Sequence, residues 1–421
     1  MAENQPAQKN RMNSRKKLSE FGERLRHAMQ EWPGTLKGGH QAFDELALEL
    51  FALQFELNEP YCRLCKARWR SPETVEHWSA IPAVPAASFK EWELSCLSED
   101  ERTAVFYSSG TTVQSPSRHF HSAESLAVYE ASLLGGFSGL GAPASPLAKS
   151  KNRTLVGEDA GAPRLAILTP SREEAPNSSL VYMFDTIRRN LGAPESVFLG
   201  QCDEDGTWSL DRKRALELLR GSVVAESPVL LLGTAFSFVH LLDDLAEQNL
   251  IMHLPPGSIV LETGGYKGRS RSLPKAELYS CITKQLAIPN HGIISEYGMS
   301  ELSSQAYDGR ASGEGRGARS EHVSHITHHT PTLSRSHALT LQPRPCSFPP
   351  WARAQVISAE TGREVADGET GLIRVFDLAN VFSVMAIQTE DLAIRRGSGF
   401  ELIGRAELAE ARGCSLMASE Q

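Results

Sequence analysis

The sequence has little cysteine, no excess of basic charge and no long apolar run. Its 421 residues include seven cysteines, too few for a disulfide scaffold in a chain of this length. The longest apolar stretch, at 229–242, is interrupted by Gly233, Ser237 and His240 and is shorter than the roughly 20 residues that a membrane-spanning helix needs. These absences argue against a disulfide-stabilised secreted domain and predict no membrane span.

The charge balance argues against nucleic acid as a partner. Lys and Arg number 43 against 51 Asp and Glu, a formal net charge of −8, whereas nucleic-acid-binding domains usually carry a basic face. The composition, 41% apolar and 22% charged, suits a packed core and excludes a disordered chain. Residues 1–20 are polar and lack the apolar segment of a secretory signal, so we expect a disordered tail, with a basic interaction arm as the alternative, and a cytoplasmic protein.

Two patterns of apolar residues organise the body of the chain. Over 41–70, apolar positions recur at helical spacing and predict one or two amphipathic helices with a break near Pro60. From residue 164 onward, short apolar runs alternate with helical patterns. The runs lie at 164–168, 196–199, 229–232, 258–261 and 292–295, and the helical patterns at 211–220, 236–248 and 274–286. This alternation predicts an α/β fold whose mainly parallel sheet is covered by helices.

The C-terminal part has a different pattern. Strand-like runs predict a small β-rich unit and lie at 353–357, 371–376, 384–388, 392–395 and 400–403. Before this unit, residues 308–345 are rich in Gly, Ser, Arg and His and show no periodicity. We therefore divide the chain into a polar tail (1–20), an α/β body (21–307), a mobile insertion (308–345) and a C-terminal β-rich unit with its tail (346–421).

Four motifs contain the residue types of a nucleotide site. FYSSGTT (106–112) is a hydroxyl-rich turn that can wrap phosphate oxygens. GGYKG (264–268) and SEYGMSE (295–301) each follow an apolar run, which predicts both at the carboxyl ends of strands, where open α/β sheets bind ligands. In QTED (388–391), a carboxylate suits ribose hydroxyls, and the later Arg405 suits a phosphate. Each motif taken alone is more often a polar turn or a solvated strand end.

Together these motifs resemble the acyl-adenylate-forming superfamily. Within it they are most similar to the acyl-protein synthetases, the fatty-acid-activating component of bacterial luciferase-linked reductases. The resemblance spans most of the chain from residue 41 onward and is poorest over 308–345. The segments that carry it are, in order, FYSSGTT (106–112), LVYM (180–183), ETGGYKG (262–268), SEYGMSEL (295–302), FPPW (348–351), VFDLAN (375–380), TEDLA (389–393) and ARGCSL (411–416).

The resemblance implies an enzyme that uses ATP and Mg²⁺ to convert a fatty carboxylate into acyl-AMP and pyrophosphate. It implies a phosphate loop made of Ser108, Ser109, Gly110, Thr111 and Thr112. The other roles that it implies are adenine binding by Gly264, Gly265 and Tyr297, cofactor binding by Gly298, α-phosphate contact by Ser300, Mg²⁺ binding by Glu301, ribose binding by Asp391 and a hinge position for Arg405. Glu301, Arg405 and Cys414 are the residues that it implies for catalysis.

Two departures from the superfamily pattern bear on the chemistry. The phosphate loop continues Val113-Gln114-Ser115 in place of the usual Gly and Lys, so Arg118 or another base would supply the cation. Only residues 406–421 follow Arg405, which leaves no room for the usual C-terminal lid with its catalytic lysine and disfavours a CoA ligase.

The resemblance implies that Cys414 accepts the acyl group. The segment from Arg405 to Cys414 reaches about 30 Å when extended, so a tethered thiol can meet the acyl-AMP at high effective concentration. Arg412 favours the reactive thiolate. The structural alternative is an incidental cysteine in a chain terminus.

The predicted function is therefore that of an ATP-dependent acyl-protein synthetase that delivers its acyl group to a partner reductase. Two alternatives stay open: an acyl- or aryl-CoA or carrier-protein ligase of the same superfamily, and a non-catalytic nucleotide-binding subunit. Among the remaining signals, Cys62 and Cys65 are interpreted as packed thiols, and His240 as either an acyl-pocket residue or a core histidine. Adventitious metal binding is a minor alternative for His322, His325, His328 and His329.

Overall fold

The computed structural model describes residues 4–31, 39–108, 115–140, 162–204, 206–265, 273–308 and 344–406. The helices in these ranges are α1 (Asn4–Gln30), α2 (Gly39–Leu57), α3 (Glu59–Ala67), α4 (Ser88–Glu91), α5 (Ala123–Ser138), α6 (Ser179–Leu191), α7 (Arg212–Val224), α8 (Ala235–Glu247) and α9 (Lys275–Leu286). The strands are β1 (Val84–Pro85), β2 (Ala104–Tyr107), β3 (Arg118–His121), β4 (Arg164–Ile167), β5 (Val197–Phe198), β6 (Gly200–Cys202), β7 (Trp208–Leu210), β8 (Val229–Gly233), β9 (Ile259–Glu262), β10 (Ile293–Tyr297), β11 (Ala306–Asp308), β12 (Cys346–Ser347), β13 (Ala352–Ile357), β14 (Thr370–Asp377), β15 (Ala386–Arg396) and β16 (Gly399–Arg405).

One twelve-stranded sheet runs through the described part of the chain. Its parallel half has the strand order β5-β4-β8-β9-β10. Its antiparallel half continues from β10 through β11, β12, β16, β15, β14 and β13, and the twelfth strand, β1, pairs in parallel with β15 beside this path. The predicted α/β body with its parallel strands is therefore confirmed. The predicted C-terminal β unit is also present, and it extends the same sheet because β12 pairs with both β11 and β16.

The parallel half is buried on both faces, which explains the uninterrupted apolar runs of its strands. In β8, Val229 and Leu231 pack into the same core cluster as α7, α8 and α9. The alternate residues Leu230 and Leu232 pack into the cluster that contains α5 and α6. The helices therefore cover both faces of the sheet, as the sequence pattern predicts.

The described residues of the N-terminal segment are helical from Asn4 onward, which corrects the disordered tail predicted over 1–20 for these residues. Leu18, Phe21 and Leu25 form a buried stripe at helical spacing on α1, and α1 packs against α2 and α5. Arg15 adds an ion pair with Glu101 at 2.8 Å. The stripe begins inside the segment assigned to the tail, so the polar residues before it continue the same helix. Within the described ranges, neither α1 nor any other helix combines the length and apolarity needed to cross a membrane.

Two helices form where the sequence predicts a break near Pro60. α2 ends at Leu57 and α3 begins at Glu59, with Pro60 in its first turn. The intervening Asn58 caps α3, because its side-chain oxygen accepts the Tyr61 N–H at 3.1 Å. Proline is tolerated in a first turn because its missing N–H would have no partner within the helix.

One long strand replaces the two strands predicted at 384–388 and 392–395. β15 runs through the polar residues between them and pairs with β14 on one side and β16 on the other. Thr389 is buried and donates its hydroxyl to the Ile373 carbonyl at 2.8 Å. The polar residues that separate the two predicted strands, which include the TED motif, therefore lie inside one strand, because the neighbouring strands β14 and β16 pair with them.

Candidate active site

Three neighbouring parallel strands end at the same edge of the sheet. Glu262, the last residue of β9, is in register with Gly233 of β8 and with Ser295 of β10. Backbone bonds join the loops that follow, because Ala235 N–H donates to the Gly264 carbonyl and Thr263 N–H to the Gly233 carbonyl, both at 3.1 Å. The GG and SEYG motifs therefore lie side by side at the carboxyl edge, as predicted.

The Gly264–Gly265 turn requires glycine. Both residues have positive φ, 62° and 84°, a backbone conformation that side chains with a Cβ rarely adopt. The Glu262 carboxylate accepts the Gly264 N–H at 2.5 Å, which fixes the start of the turn. Residues 266–268 of the motif lie outside the described residues.

A hydrogen-bonded cluster joins three of the residues predicted for nucleotide binding. Tyr297 Oη donates to Asp391 Oδ2 at 2.9 Å, and Arg405 Nε donates to Asp391 Oδ1 at 3.1 Å. Arg405 also donates to Glu390 Oε2 at 2.8 Å. The Asp391 and Arg405 side chains are 19% and 21% exposed, so a ligand can reach them. The cluster links the end of β10 to β15 and β16.

Glu301 is fully buried and makes bonds to two hydroxyl groups. Ser117 Oγ donates to its Oε1 at 2.6 Å, and Ser300 Oγ donates to its Oε2 at 3.0 Å. The Asn380 amide donates to the Glu301 carbonyl at 2.8 Å. The turn after β10 is therefore fixed both through its backbone and through the Glu301 carboxylate.

This donor set suits Mg²⁺ more than a transition metal. It consists of one carboxylate and two hydroxyls, and Mg²⁺ prefers oxygen ligands. Across the described ranges, no group of three or more His, Cys, Asp and Glu side chains is placed to hold a metal. Mg²⁺ sites commonly take only one or two carboxylates and complete the shell with substrate phosphates and water, so the residues present fit this ion.

The stem of the predicted phosphate loop lies directly beside Glu301. β2 and β3 form an antiparallel hairpin. Ser108 N–H donates to the Ser117 carbonyl at 3.1 Å, and Ser117 N–H donates to Ser108 Oγ at 2.9 Å. Ser109, Gly110, Thr111 and Thr112 lie outside the described residues. Arg118, the predicted substitute cation, is within 3.3 Å of Glu93.

Two buried glutamates at the carboxyl edge were missed by the sequence analysis. Glu262 and Glu296 are only 3% and 7% exposed. Burial raises the pKa of Glu296 to about 8, and the neighbouring Glu262 adds to this shift. Burial also raises the pKa of Glu262, although that side chain accepts hydrogen bonds from Gly264 and Tyr279. The sequence did contain a signal for both residues, because Glu262 in ETGGYKG and Glu296 in SEYGMSEL each follow directly on an apolar strand pattern.

Asp377 explains part of the VFDLAN motif, for which the sequence suggested no role. It is fully buried and accepts bonds from the N–H groups of Ser303 and Ser304 at 2.9 and 2.8 Å and from the Ser304 hydroxyl at 2.6 Å. Burial raises its pKa to about 6, while these bonds oppose the shift. Asp377 therefore holds the segment that follows Glu301.

His240 lines a small cavity beside the carboxyl edge. The cavity, of about 140 Å³, lies between the start of α8 and the β6–β7 hairpin, and its walls include Leu168, Trp208 and Phe236. His240 Nε2 is buried and has no hydrogen-bond partner among the described residues. The unpartnered Nε2 argues against a core histidine with satisfied hydrogen bonds. Of the two interpretations of His240, a pocket residue therefore fits the structure better.

The other predicted signals divide between the described residues and the rest. Cys65 is buried and Cys62 is half-buried, and burial raises the pKa of the Cys65 thiol to about 12, as expected for packed thiols. Gly298 packs closely against Glu296, because a Cβ at this position would lie 2.3 Å from Glu296 Oε1. Cys414 and the histidines at 322–329 lie outside the described residues.

Comparison with known proteins identifies the fold. No protein-family model matches the chain, and no curated protein matches it. The open form of 2-hydroxyisobutyryl-CoA ligase, solved with 2-HIB-AMP and CoA, aligns with a TM-score of 0.58 and 12% identity over 90% of this chain and 77% of the ligase. Its postadenylation form with 2-HIB-AMP gives 0.57 and 12% identity over 90% and 70%. The chain therefore has the fold of an adenylate-forming ligase, as the resemblance predicts.

Proposed function

We propose that this protein uses ATP to activate a carboxylic acid as an acyl-AMP. One observation carries the proposal. Hydrogen bonds join Tyr297, Asp391 and Arg405 in one cluster, and the Gly264–Gly265 turn lies at the same edge of the sheet. The fold is shared with 2-hydroxyisobutyryl-CoA ligase, whose solved complexes contain 2-HIB-AMP. Ligands of open α/β sheets bind at this edge.

Asp391 is suited to hold the ribose. Tyr297 and Arg405 donate to different oxygens of its carboxylate, and a carboxylate oxygen can accept more than one hydrogen bond. The Arg405 guanidinium orients the carboxylate. The same carboxylate can therefore also accept hydrogen bonds from a ribose diol.

The transfer step needs positioning and charge neutralisation more than a protein base. A carboxylic acid is already ionised near pH 7, so its oxygen attacks the α-phosphorus directly. A bond between this oxygen and phosphorus forms, and the bond to pyrophosphate breaks with its electron pair going to pyrophosphate. Glu301, Ser117 and Ser300 would hold Mg²⁺, which when bound supplies positive charge for the departing pyrophosphate. The hydroxyls near Ser108 supply donors to the phosphates.

We infer further that the acid is a fatty acid and that Cys414 receives its acyl group for delivery to a reductase. Support comes from the ARGCSL segment (411–416) and from the apolar walls of the cavity beside His240. In this step the Cys414 thiolate attacks the carbonyl carbon of acyl-AMP. The C–S bond forms, and AMP departs with the electron pair of the broken C–O bond.

A CoA or carrier thiol is the second candidate acceptor. The observation that favours it is the fold shared with a ligase solved together with CoA. A third candidate, a nucleotide-binding subunit without catalysis, keeps the Tyr297–Asp391–Arg405 cluster but forms no acyl-AMP.

Two assays separate these candidates. Carboxylate-dependent exchange of label between pyrophosphate and ATP, run with fatty acids of several lengths and with short hydroxy acids, should show adenylation, and its absence with every acid would favour the non-catalytic subunit. Labelled fatty acid, ATP and Mg²⁺ should label wild-type chain in a hydroxylamine-sensitive band. Cys414→Ser should lose this label, whereas the half-buried Cys281→Ser should keep it. Equal labelling of both variants would exclude Cys414 as the acceptor. Labelled acyl group that leaves the protein only when CoA is added would identify CoA as the acceptor.

A further inference from the structure

We propose that His119 is a positioning residue that, together with Ser117, holds the Ser300–Glu301 turn against the β2–β3 hairpin. This proposal rests on the proposed adenylation, because the two side chains are assigned a role in that reaction. Neither residue belongs to a motif that the sequence analysis selected.

The His119 contact has a defined direction. His119 Nδ1 lies 2.9 Å from the Ser300 carbonyl oxygen. Because a carbonyl only accepts, the ring hydrogen must be on Nδ1 and the imidazole donates. The residue is 3% exposed, and its ring packs between Phe89 and His121, with centroids 6.0 and 4.2 Å away. The imidazole is therefore held in one orientation by packing on both sides.

Ser117 provides the second contact from the same side of the hairpin. Residues two apart in an extended chain point the same way, so Ser117 and His119 both face the turn. Ser117 Oγ donates to the Glu301 carboxylate at 2.6 Å, while His119 holds the backbone of the preceding residue. Arg118, which lies between them, instead pairs with Glu93 at 3.3 Å. One hairpin thus holds both the backbone and the carboxylate of the turn.

This arrangement couples two parts of the candidate site that are far apart in sequence. The hairpin leads into the predicted phosphate loop, and the turn carries the predicted Mg²⁺ ligand. Transfer to the α-phosphorus requires the phosphates and the cation to be placed together, and a displacement of about 1 Å can cost on the order of 100-fold in rate. Loss of the His119 contact should therefore slow the reaction without removing any group that touches substrate.

The test compares two buried histidines of the same strand. His119→Leu removes the donor, and His119→Asn keeps a donor nitrogen near the position of Nδ1. His121→Leu is the matched control, because leucine keeps an apolar side chain packed against the His119 ring, whereas the imidazole that it removes is 1% exposed and places its Nδ1 3.1 Å from Ser125 Oγ on α5. Two readouts are needed: pyrophosphate exchange, with kcat and the KM for ATP measured separately, and hydrogen–deuterium exchange of the peptide covering 298–304.

We expect His119→Leu to lower kcat by about 10- to 100-fold and to increase deuterium uptake in 298–304, and we expect His119→Asn to recover most of both. His121→Leu should lose thermal stability while its kcat stays within about threefold of wild type. Equal losses of kcat in both leucine variants, or unchanged uptake in His119→Leu, would overturn the proposal. If the wild type shows no exchange with any acid, adenylation fails, and the deuterium readout still decides whether His119 holds the turn.

Discussion

The two halves of the sheet each bring a pair of acidic residues to the candidate site, and the two pairs are built differently. In the antiparallel half, Glu390 and Asp391 both bond to Arg405 and remain 37% and 19% exposed. In the parallel half, Glu262 and Glu296 are almost fully buried, and burial raises the pKa of both. No salt bridge to either is found in the described ranges. The same residue types are therefore accessible and paired with a cation in one half, and buried with raised pKa values in the other.

The difference assigns separate tasks to the two pairs. A charged, accessible carboxylate can bind hydroxyl groups of a ligand, as proposed for Asp391. A buried glutamate with a high pKa can instead brace backbone. Glu262 accepts the Gly264 N–H, and Glu296 lies against Gly298. We therefore expect substitutions in the antiparallel pair to change catalysis and substitutions in the parallel pair to change stability.

The largest expected effect is the loss of activity in Asp391→Asn. The amide loses the charge that pairs with Arg405 and one of the acceptors for the ribose. Hydrogen bonds to charged groups contribute roughly 1.5 to 3 kcal/mol each, so loss of two such bonds corresponds to an exchange rate lower by about 1,000-fold. Glu390→Gln is the control, because Glu390 accepts from a different nitrogen of the same guanidinium, Arg405 Nη2, at 2.8 Å, and its rate should stay within about threefold of wild type. Comparable losses in both variants would contradict the special role of Asp391.

The next effect is a pH-dependent stabilisation by Glu296→Gln. The pKa of Glu296 is raised to about 8 in the folded protein, against about 4.3 in an unfolded chain. The unfolded state therefore loses this proton first, and stability falls as the pH rises from about 4 to 8. Glutamine removes the cost, so the free energy of unfolding should rise by roughly 3 kcal/mol at pH 7 and change little near pH 4.

Urea unfolding of wild type and Glu296→Gln at several pH values measures this gain. The exposed Glu390→Gln serves again as the control and should show no comparable rise between pH 4 and 8. A gain from Glu296→Gln that is the same at every pH would mean that Glu296 is ionised in the folded protein. The contrast between the two acidic pairs would then disappear.

The sequence predicts the parallel half well because burial on both faces leaves its strands as uninterrupted apolar runs. β4, β8, β9 and β10 all fall within two residues of the predicted runs. The sequence locates the motifs at the ends of β9 and β10 correctly for the same reason, because the end of an apolar run marks where the following loop begins. The polar TED motif is harder, because only pairing with β14 and β16 keeps it inside β15.

What the sequence could not predict is the direction and partner of individual side chains. The resemblance implies Mg²⁺ binding by Glu301, but nothing in the sequence indicates that the hydroxyls of Ser117 and Ser300 donate to its carboxylate. The contact between His119 and the Ser300 carbonyl joins residues distant in sequence, and local periodicity carries no information about it. Glu296 has the sequence pattern of a polar strand residue, and its pKa is raised by burial and by the neighbouring Glu262, both of which arise only in the folded protein.

The smallest expected effect concerns the hydroxyl of Tyr297, which connects β10 to the antiparallel pair. Tyr297→Phe keeps the ring, which packs edge-on against Phe400 with centroids 5.2 Å apart. It removes a hydrogen bond to the Asp391 carboxylate, worth about 1.5 kcal/mol at the lower end of the range for bonds to charged groups, so we expect the KM for ATP to rise by about tenfold while kcat changes little. The measurement is pyrophosphate exchange at varied ATP.

Tyr279→Phe is the matched control for Tyr297→Phe because it tests the other acidic pair. Its hydroxyl donates to Glu262 at 3.3 Å, on the side of the site assigned to structure, and removing it should lower stability and leave the KM for ATP unchanged. A rise in the KM for ATP as large as that of Tyr297→Phe would place Glu262 in nucleotide binding. The assignment of nucleotide binding to the antiparallel pair and of stability to the parallel pair would then be wrong.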